Sequence, residues 1–464
     1  MFKIEYVEFT SHIDRTVKMS VTLDDLEAAS TTLRALIAGA APERDEGGEW
    51  YRLRLELYEL TRKFQKPASD ISPLKQTRLE RARKTLAIYG ESTDRLEKHS
   101  VNDRFAAVRC YVCHERIGTA HKFYTKMCGK CGEVNYEKRF LTRDLKGLVA
   151  VVTGARIKIG FEITTKLLRA GARVVATTRF LMDAKLRFQA EPDYKEWKDQ
   201  LEVYALDLMS SSQITEFIRH VQCTYDRLDI LINNAAQTIR RPVEFFRQPY
   251  LLDAHPVMVL SSEDQARLLP SPVKTIEVPK WIRDDMSAST QVATTKVIYD
   301  EHMQPLDLRS KNTWTSNLDE VAPAEVAETV VINQIAPVLL IQGFTGMMRD
   351  TTASTKEAWI INVSSMEGKF TRYKTTFHPH TNMAKAALNM LTHTSASDYA
   401  RFGIYMNAAD TGWVTDELPT KDESYSSLNC PIDEVDGAAR VLDPIMTRSH
   451  EFGLFLKDYK PTAW

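Results

Sequence analysis

The chain has 464 residues, 43% hydrophobic and 27% charged, with a formal net charge of -1. That length gives room for two or three domains and a large core, and the balanced charge removes any global argument for nucleic acid or an anionic membrane as partner. No run of eighteen apolar residues occurs, since the longest candidate, around Val330–Phe344, is interrupted by Asn333, Gln334 and Gln342.

The N-terminus, with Glu5, Glu8 and Asp14, carries neither an apolar core nor an Arg-rich amphipathic pattern. A cytoplasmic location is therefore expected, with the six cysteines as thiols or metal ligands rather than disulfides. Residues 1–100 read as a mostly helical domain after a short alternating start at Ile4–Phe9. Thr22 caps a helix with Asp25 three residues on, and its apolar residues recur at helical spacing through Ala40. Gly47-Gly48 break the chain, Trp50, Leu53, Leu55 and Leu57 open a second helix, and Ser72-Pro73 starts a third.

Residues 101–145 form a short cysteine-rich zone. Cys110-x2-Cys113 and Cys128-x2-Cys131 are two knuckles fourteen residues apart. Four thiolates so spaced suit tetrahedral zinc of the closed, structural kind, favoured here over an iron–sulfur cluster, and leave no open position for catalysis. Lys122, Lys126, Lys130, Lys138 and Arg139 surround the knuckles. With little aromatic interleaving they read as a solvated basic face rather than a nucleic-acid site. The lone Cys223 and Cys430 are expected to be buried rather than reactive.

From Lys146 to Trp464 strand and helix patterns alternate. Leu148–Thr153, Arg173–Thr177, Leu201–Leu206, Leu228–Asn233, Trp359–Val363 and Ile404–Ala409 are short apolar runs separated by helical segments. The pattern predicts an α/β fold, a doubly wound parallel Rossmann sheet with helices on both faces. Residues 237–315, rich in proline, exceed what a crossover needs and read as an insertion beside the active-site edge, serving as a lid or a partner surface.

Thr153-Gly154-Ala155-Arg156-Ile157-Lys158-Ile159-Gly160 follows a predicted strand and opens a predicted helix, the setting in which backbone N–H groups hold a pyrophosphate. Downstream in order come Asp207 after the third strand, Asn233-Asn234-Ala235-Ala236 after the fourth, Asn333 in a helix, Ser365 after the fifth strand and Lys385 in the next helix. On these residues the zone 146–464, less the insertion, resembles the short-chain dehydrogenase/reductase family. Thr153, Gly154 and Gly160 match its TGxxxGxG motif, Asn233–Ala236 its NNAG, and Asp207 its adenine-side aspartate. The resemblance implies that Asn333 anchors a proton-relay water, Ser365 positions the substrate oxygen and Lys385 contacts the nicotinamide ribose. It implies a cofactor site made of Thr153, Gly154, Arg156, Lys158, Ile159, Gly160, Arg179, Asp207, Leu208, Asn234, Ala235, Lys385 and Gly412.

The second strand ends in Ala176-Thr177-Thr178-Arg179, without a carboxylate for a ribose 2′-OH. An arginine there pairs with a 2′-phosphate, so NADP is favoured over NAD; Arg156 sits where NADP-preferring relatives often carry a basic residue.

Three positions depart from the family pattern. The middle glycine of the turn is Lys158, whose side chain must avoid the phosphates or pair with them. Thr411-Gly412, followed by Trp413 and Thr415, replaces Pro-Gly after the sixth strand. The tyrosine expected four residues before Lys385 is Thr381. A threonine hydroxyl has no pKa near neutrality, whereas a tyrosine at about 10 is pulled down by an adjacent ammonium. The substitute proton source is His378, Tyr373 or a water held by Thr381, with His378 expected to reach the pocket and His380 to point elsewhere.

Two readings fit these residues. One is an NADP-dependent oxidoreductase acting on a carbonyl or alcohol, with a small-molecule substrate and the oligomerisation common in the family. The other is a catalytically inactive member serving as a cofactor-sensing or structural module within a protein assembly.

Overall fold

All six apolar runs pair into one sheet: β1 (Val149–Thr153), β2 (Arg173–Thr178), β3 (Leu201–Ala205), β4 (Ile230–Asn233), β5 (Ala358–Ser364) and β6 (Ile404–Asp410). The computed structural model describes residues 72–88, 109–241, 243–246, 249, 253, 299–300, 302–371, 373–415, 417–419 and 430–464. The chain divides into two units, Met1–Ser69 and Asp70–Trp464. The helical reading of the first lies outside the described residues; the sheet belongs to the second. The helix expected after Ser72 is there as α1 (Pro73–Ile88).

Strand order is β3-β2-β1-β4-β5-β6-β7-β8. Neighbours are parallel up to β7 (Phe455–Lys457), and β8 (Lys460–Thr462) closes the edge antiparallel. This last hairpin escaped the sequence reading. Its strands have three residues each, and its turn is Asp458-Tyr459, both with positive φ and without the Asn-Gly signature that marks such turns.

Besides shorter helical turns, the other helices described are α2 (Gly129–Phe140), α3 (Lys158–Arg169), α4 (Leu181–Gln189), α5 (Ser211–Thr224), α6 (Pro323–Val330), α7 (Ala336–Thr355), α8 (Pro379–Ala400) and α9 (Glu434–Met446). Side chains alternate across each strand, so β1 sends Ala150 and Val152 to one face and Val149 and Val151 to the other. The first face is covered by α3, α4 and α9 through Ile163, Leu167, Phe188, Val441 and Leu442. The second is covered by α5, α7 and α8 through Ile214, Phe217, Leu340, Phe344 and Ala396. Both faces are thus dry, which is why the strands read as continuous apolar runs.

The helical stretch Pro323–Thr355 is, among the described residues, one long and apolar enough to cross a membrane by length and composition. Its apolar character is accounted for by the sheet, onto which it buries Leu340, Ile341, Phe344 and Met348. Between α6 and α7 it contains a π-turn, Val331–Ile335, centred on the buried Asn333; such one-turn bulges recur at functional sites.

The strand order reverses between β1 and β4, which pair side by side. In an open parallel sheet, ligands bind in the crevice outside the carboxyl ends at this switch point. The glycine turn leaves β1 there, and the Asn-Asn segment leaves β4 beside it.

Candidate functional site

The glycine turn is shaped by close backbone approach. Gly154 adopts φ +69°, and a Cβ on it would lie 2.9 Å from Ala235 Cα. A Cβ on Gly160 would lie 2.1 Å from the Gly154 carbonyl and 2.6 Å from Asn234 Nδ2. The Asn234 side-chain amide donates to the Thr153 and Gly154 carbonyls at 3.0 and 3.2 Å, and the Asn234 and Ala235 backbone amides donate to Thr153 Oγ1, each at 3.0 Å. The segment after β4 therefore clamps the turn after β1. Ile157, extended and without a capping side-chain bond, precedes α3, so this helix N-terminus presents backbone to the crevice. Lys158 takes φ +54°, the left-handed conformation that glycine favours. The substitution thus keeps the backbone bend and adds a side chain to it.

The two arginines expected to meet phosphate differ. Arg156 is buried, paired with Asp183 of α4 and donating to Gln304 Oε1 at 3.0 Å. Its guanidinium is committed inside the protein, a correction to the expectation that it faces the cofactor. Arg179 is exposed at the end of β2, its guanidinium 4.7 Å from the Phe246 ring centre. Asp207 accepts from the Met209 amide at 2.9 Å, a local turn bond that fixes the segment after β3, and Leu208 next to it is buried.

At the other end of the crevice α8 brings Thr381 and Lys385 one turn apart. Lys385 is buried and donates from Nζ to the Val363 carbonyl at 2.8 Å. Burial lowers its pKa to about 8 against the opposing pull of Glu367. Thr381 is buried and donates from Oγ1 to the Thr238 carbonyl at 3.3 Å. Its proton is therefore directed at the backbone, and what it offers the crevice is an acceptor lone pair. Ser365, half-buried and extended, stands after β5. The Asn333 amide is bound to the backbone of Gln237 in both directions, accepting from its N–H at 2.7 Å and donating to its carbonyl at 2.8 Å. This anchors the segment after β4 to the π-turn.

His378, expected to reach the pocket, is engaged by Trp314, and His380 is the more buried of the two. His378, with φ +42°, stacks on Trp314 at 4.1 Å between ring centres, and its Nδ1 lies 2.8 Å from the Trp314 carbonyl. His380 is the buried one, its Nε2 3.3 Å from the same Thr238 carbonyl that Thr381 uses and 3.8 Å from Glu325. Tyr373 is 71% exposed. Thr238, Trp314 and Glu325 were not singled out from sequence. The first two belong to the described ends of the segment 237–315, and both lie against the first turn of α8. The middle of that segment lies outside the described residues.

The four knuckle cysteines come together. Their sulfur atoms all lie within 4.8 Å of one another, with Cys113 and Cys128 Sγ 3.8 Å apart. Tetrahedral zinc with Zn–S of about 2.3 Å sets S···S near 3.8 Å, whereas a disulfide needs about 2.05 Å. The donor set and its dimensions fit a closed tetrahedral metal. The surrounding basic residues are not all solvated: Arg139 is buried and donates to both oxygens of Asp433, at 2.5 and 2.8 Å, and Lys138 pairs with Asp443. Tyr124 donates to Asp436 Oδ1 at 2.6 Å. The knuckles are thereby docked along α9, from its N-cap Asp433 to Asp443. Cys430 is buried as expected; Cys223, on the outer side of α5, is exposed.

The short chain dehydrogenase family model matches residues 148–249 and 250–424. An uncharacterised protein of Acanthamoeba polyphaga mimivirus is 31% identical over 383 residues, covering 79% of this chain and 77% of its own. At that coverage the aligned stretch includes the four-cysteine zone. A (+)-neomenthol dehydrogenase of Arabidopsis thaliana is 41% identical over 90 residues, 18% of this chain and 29% of its own. Among solved structures, the NADPH-bound carbonyl reductase from chicken fatty liver is similar at 20% identity and a TM-score of 0.44, covering 69% of this chain and 100% of that one. The chain belongs to the short chain dehydrogenase family of oxidoreductases.

Proposed function

We propose that the chain is an NADP-dependent oxidoreductase acting on a carbonyl or alcohol, with zinc held by Cys110, Cys113, Cys128 and Cys131 as a structural metal. The observation that carries the reading is Lys385, a lysine buried and desolvated against the Val363 carbonyl near the carboxyl end of β5, one turn from Thr381. Burying an ammonium is costly, and among the described residues the pull of Glu367 offsets only part of that cost. A bound ribose diol would supply the missing acceptors.

The residues present fit a dinucleotide. Gly154 and Gly160 keep the turn free of side-chain bulk, α3 offers its N-terminus to the pyrophosphate, and Arg179 stands exposed where a 2′-phosphate would meet it. When bound, the reduced coenzyme supplies the hydride. Ser365 then hydrogen-bonds the substrate oxygen, and the proton that balances the hydride reaches that oxygen through a water accepted by Thr381 and replenished from Lys385. His378 is committed to Trp314 and Tyr373 faces solvent, which favours the water route among the three proton sources. Pairing of two copies belongs to the same reading, supported by the exposed Ile335, Met383 and Met390 near the start of α7 and on α8.

The test is NADPH oxidation with a panel of aldehydes and ketones. Turnover that Ser365→Ala removes supports the reading; no oxidation above the Ser365→Ala background overturns it.

A further inference from the structure

Tyr111 lies inside the first knuckle, between Cys110 and Cys113, yet its phenol reaches the segment that follows β6. The Trp413 amide donates to Tyr111 Oη at 2.7 Å. Gly412 has φ +80°, and a Cβ on it would lie 3.0 Å from that same oxygen and 2.6 Å from Ile432 Cδ1. The phenol thus packs over the glycine and holds the amide after it, in a bend that a larger residue could not make.

Other contacts run the same way. Val414 shares a buried cluster with Cys110, Tyr124, Met127 and Ile432, and Ile159 of the glycine turn packs against that cluster. Arg78 of α1 donates to the Val414 carbonyl at 2.8 Å. The knuckle backbone that carries Tyr111 is fixed by Tyr111 N–H to the Lys126 carbonyl at 2.9 Å and Cys110 N–H to the Glu115 carbonyl at 2.8 Å. The module therefore reaches the segment after β6 directly through Tyr111, and shares with Ile159, at the start of α3, one buried cluster that includes Val414 of that segment.

We propose that Tyr111 is a positioning residue for the coenzyme. The metal-loaded knuckle, acting through this phenol, holds Thr411–Val414 in the shape that receives the nicotinamide end. The inference rests on the NADP reading of the crevice. Zinc would then govern coenzyme affinity without touching the coenzyme, and the module would be part of the binding site rather than an appended staple.

The test uses the full zinc-loaded chain and three measurements: zinc per chain, hydrogen exchange of the 411–414 amides, and NADPH affinity by calorimetry. Tyr111→Phe removes only the acceptor oxygen. With zinc content unchanged, faster exchange confined to 411–414 and about five- to tenfold weaker NADPH binding are expected. Chelation of zinc from the wild-type chain should reproduce both effects in larger measure. Exchange at 411–414 that Tyr111→Phe leaves unchanged overturns the brace. Wild-type NADPH binding that the variant shares undiminished overturns its link to the coenzyme. A wild-type chain that binds no NADPH overturns the coenzyme reading, and this inference with it, a result distinguishable from the other two.

Discussion

Lys385 donates to the Val363 carbonyl at 2.8 Å across the gap between α8 and β5, and this is the one hydrogen bond described for an ammonium that is otherwise shut from solvent. Its folded pKa of about 8 lies below the ordinary lysine value of 10.5. The folded chain therefore binds fewer protons than the unfolded one between these values. The contribution of Lys385 to stability is lowest below pH 8 and rises as pH climbs toward 10.5. The cost near neutrality is on the order of 3 kcal/mol. Lys385→Met should accordingly raise the thermal stability of the coenzyme-free chain while weakening NADPH binding. Melting curves from pH 7 to 10 check it, and a variant less stable than wild type at pH 7 would contradict it.

Thr381→Val keeps the shape of the side chain and deletes its hydroxyl. If Thr381 holds the relaying water, NADPH oxidation should fall about 100-fold or more, with NADPH affinity unchanged. Steady-state rates combined with a binding titration separate the two effects. His378→Ala, which removes the stack on Trp314, should cost stability and leave the chemical step intact.

Burial alone would raise the Asp433 carboxyl, yet Arg81 and Arg139 hold it well below the usual carboxylate range. The stability this contributes is present above the unfolded carboxylate pKa and is lost as pH falls through the lower folded value. Asp433→Asn should destabilise the chain by about 3–5 kcal/mol at pH 7, because it leaves two buried or half-buried guanidinium groups short of a partner. The same variant should lose stability less steeply below pH 4. Denaturant unfolding at pH 7 and below pH 4 gives both numbers.

Metal analysis of the purified chain should find one zinc per chain. Cys113→Ser should lower that content and the melting temperature together, whereas Cys223→Ser, at an exposed position remote from the cluster, should change neither.

Much of this architecture was legible in the sequence because buried parallel strands are nearly continuous apolar runs and the glycine turn has a fixed place after the first of them. The four-cysteine spacing was equally plain, since it encodes a local geometry. Contacts between distant segments were less legible. Nothing local to Arg156 says that Asp183 claims it, and nothing local to His378 says that Trp314 does. His380 is the buried one of the pair while His378 stacks on Trp314, an arrangement that residue periodicity alone does not reveal. The docking of Arg139 and Tyr124 on Asp433 and Asp436 joins positions about three hundred apart in sequence, and a basic cluster read locally looks like a solvated face.

The most direct measurement is a calorimetric titration of the zinc-loaded chain with NADPH and with NADH. One equivalent of NADPH bound, more tightly than NADH, with the preference abolished by Arg179→Ala, is the result expected. No detectable association with either coenzyme at millimolar concentration would contradict the assignment of the crevice between β1 and β4 as a coenzyme site.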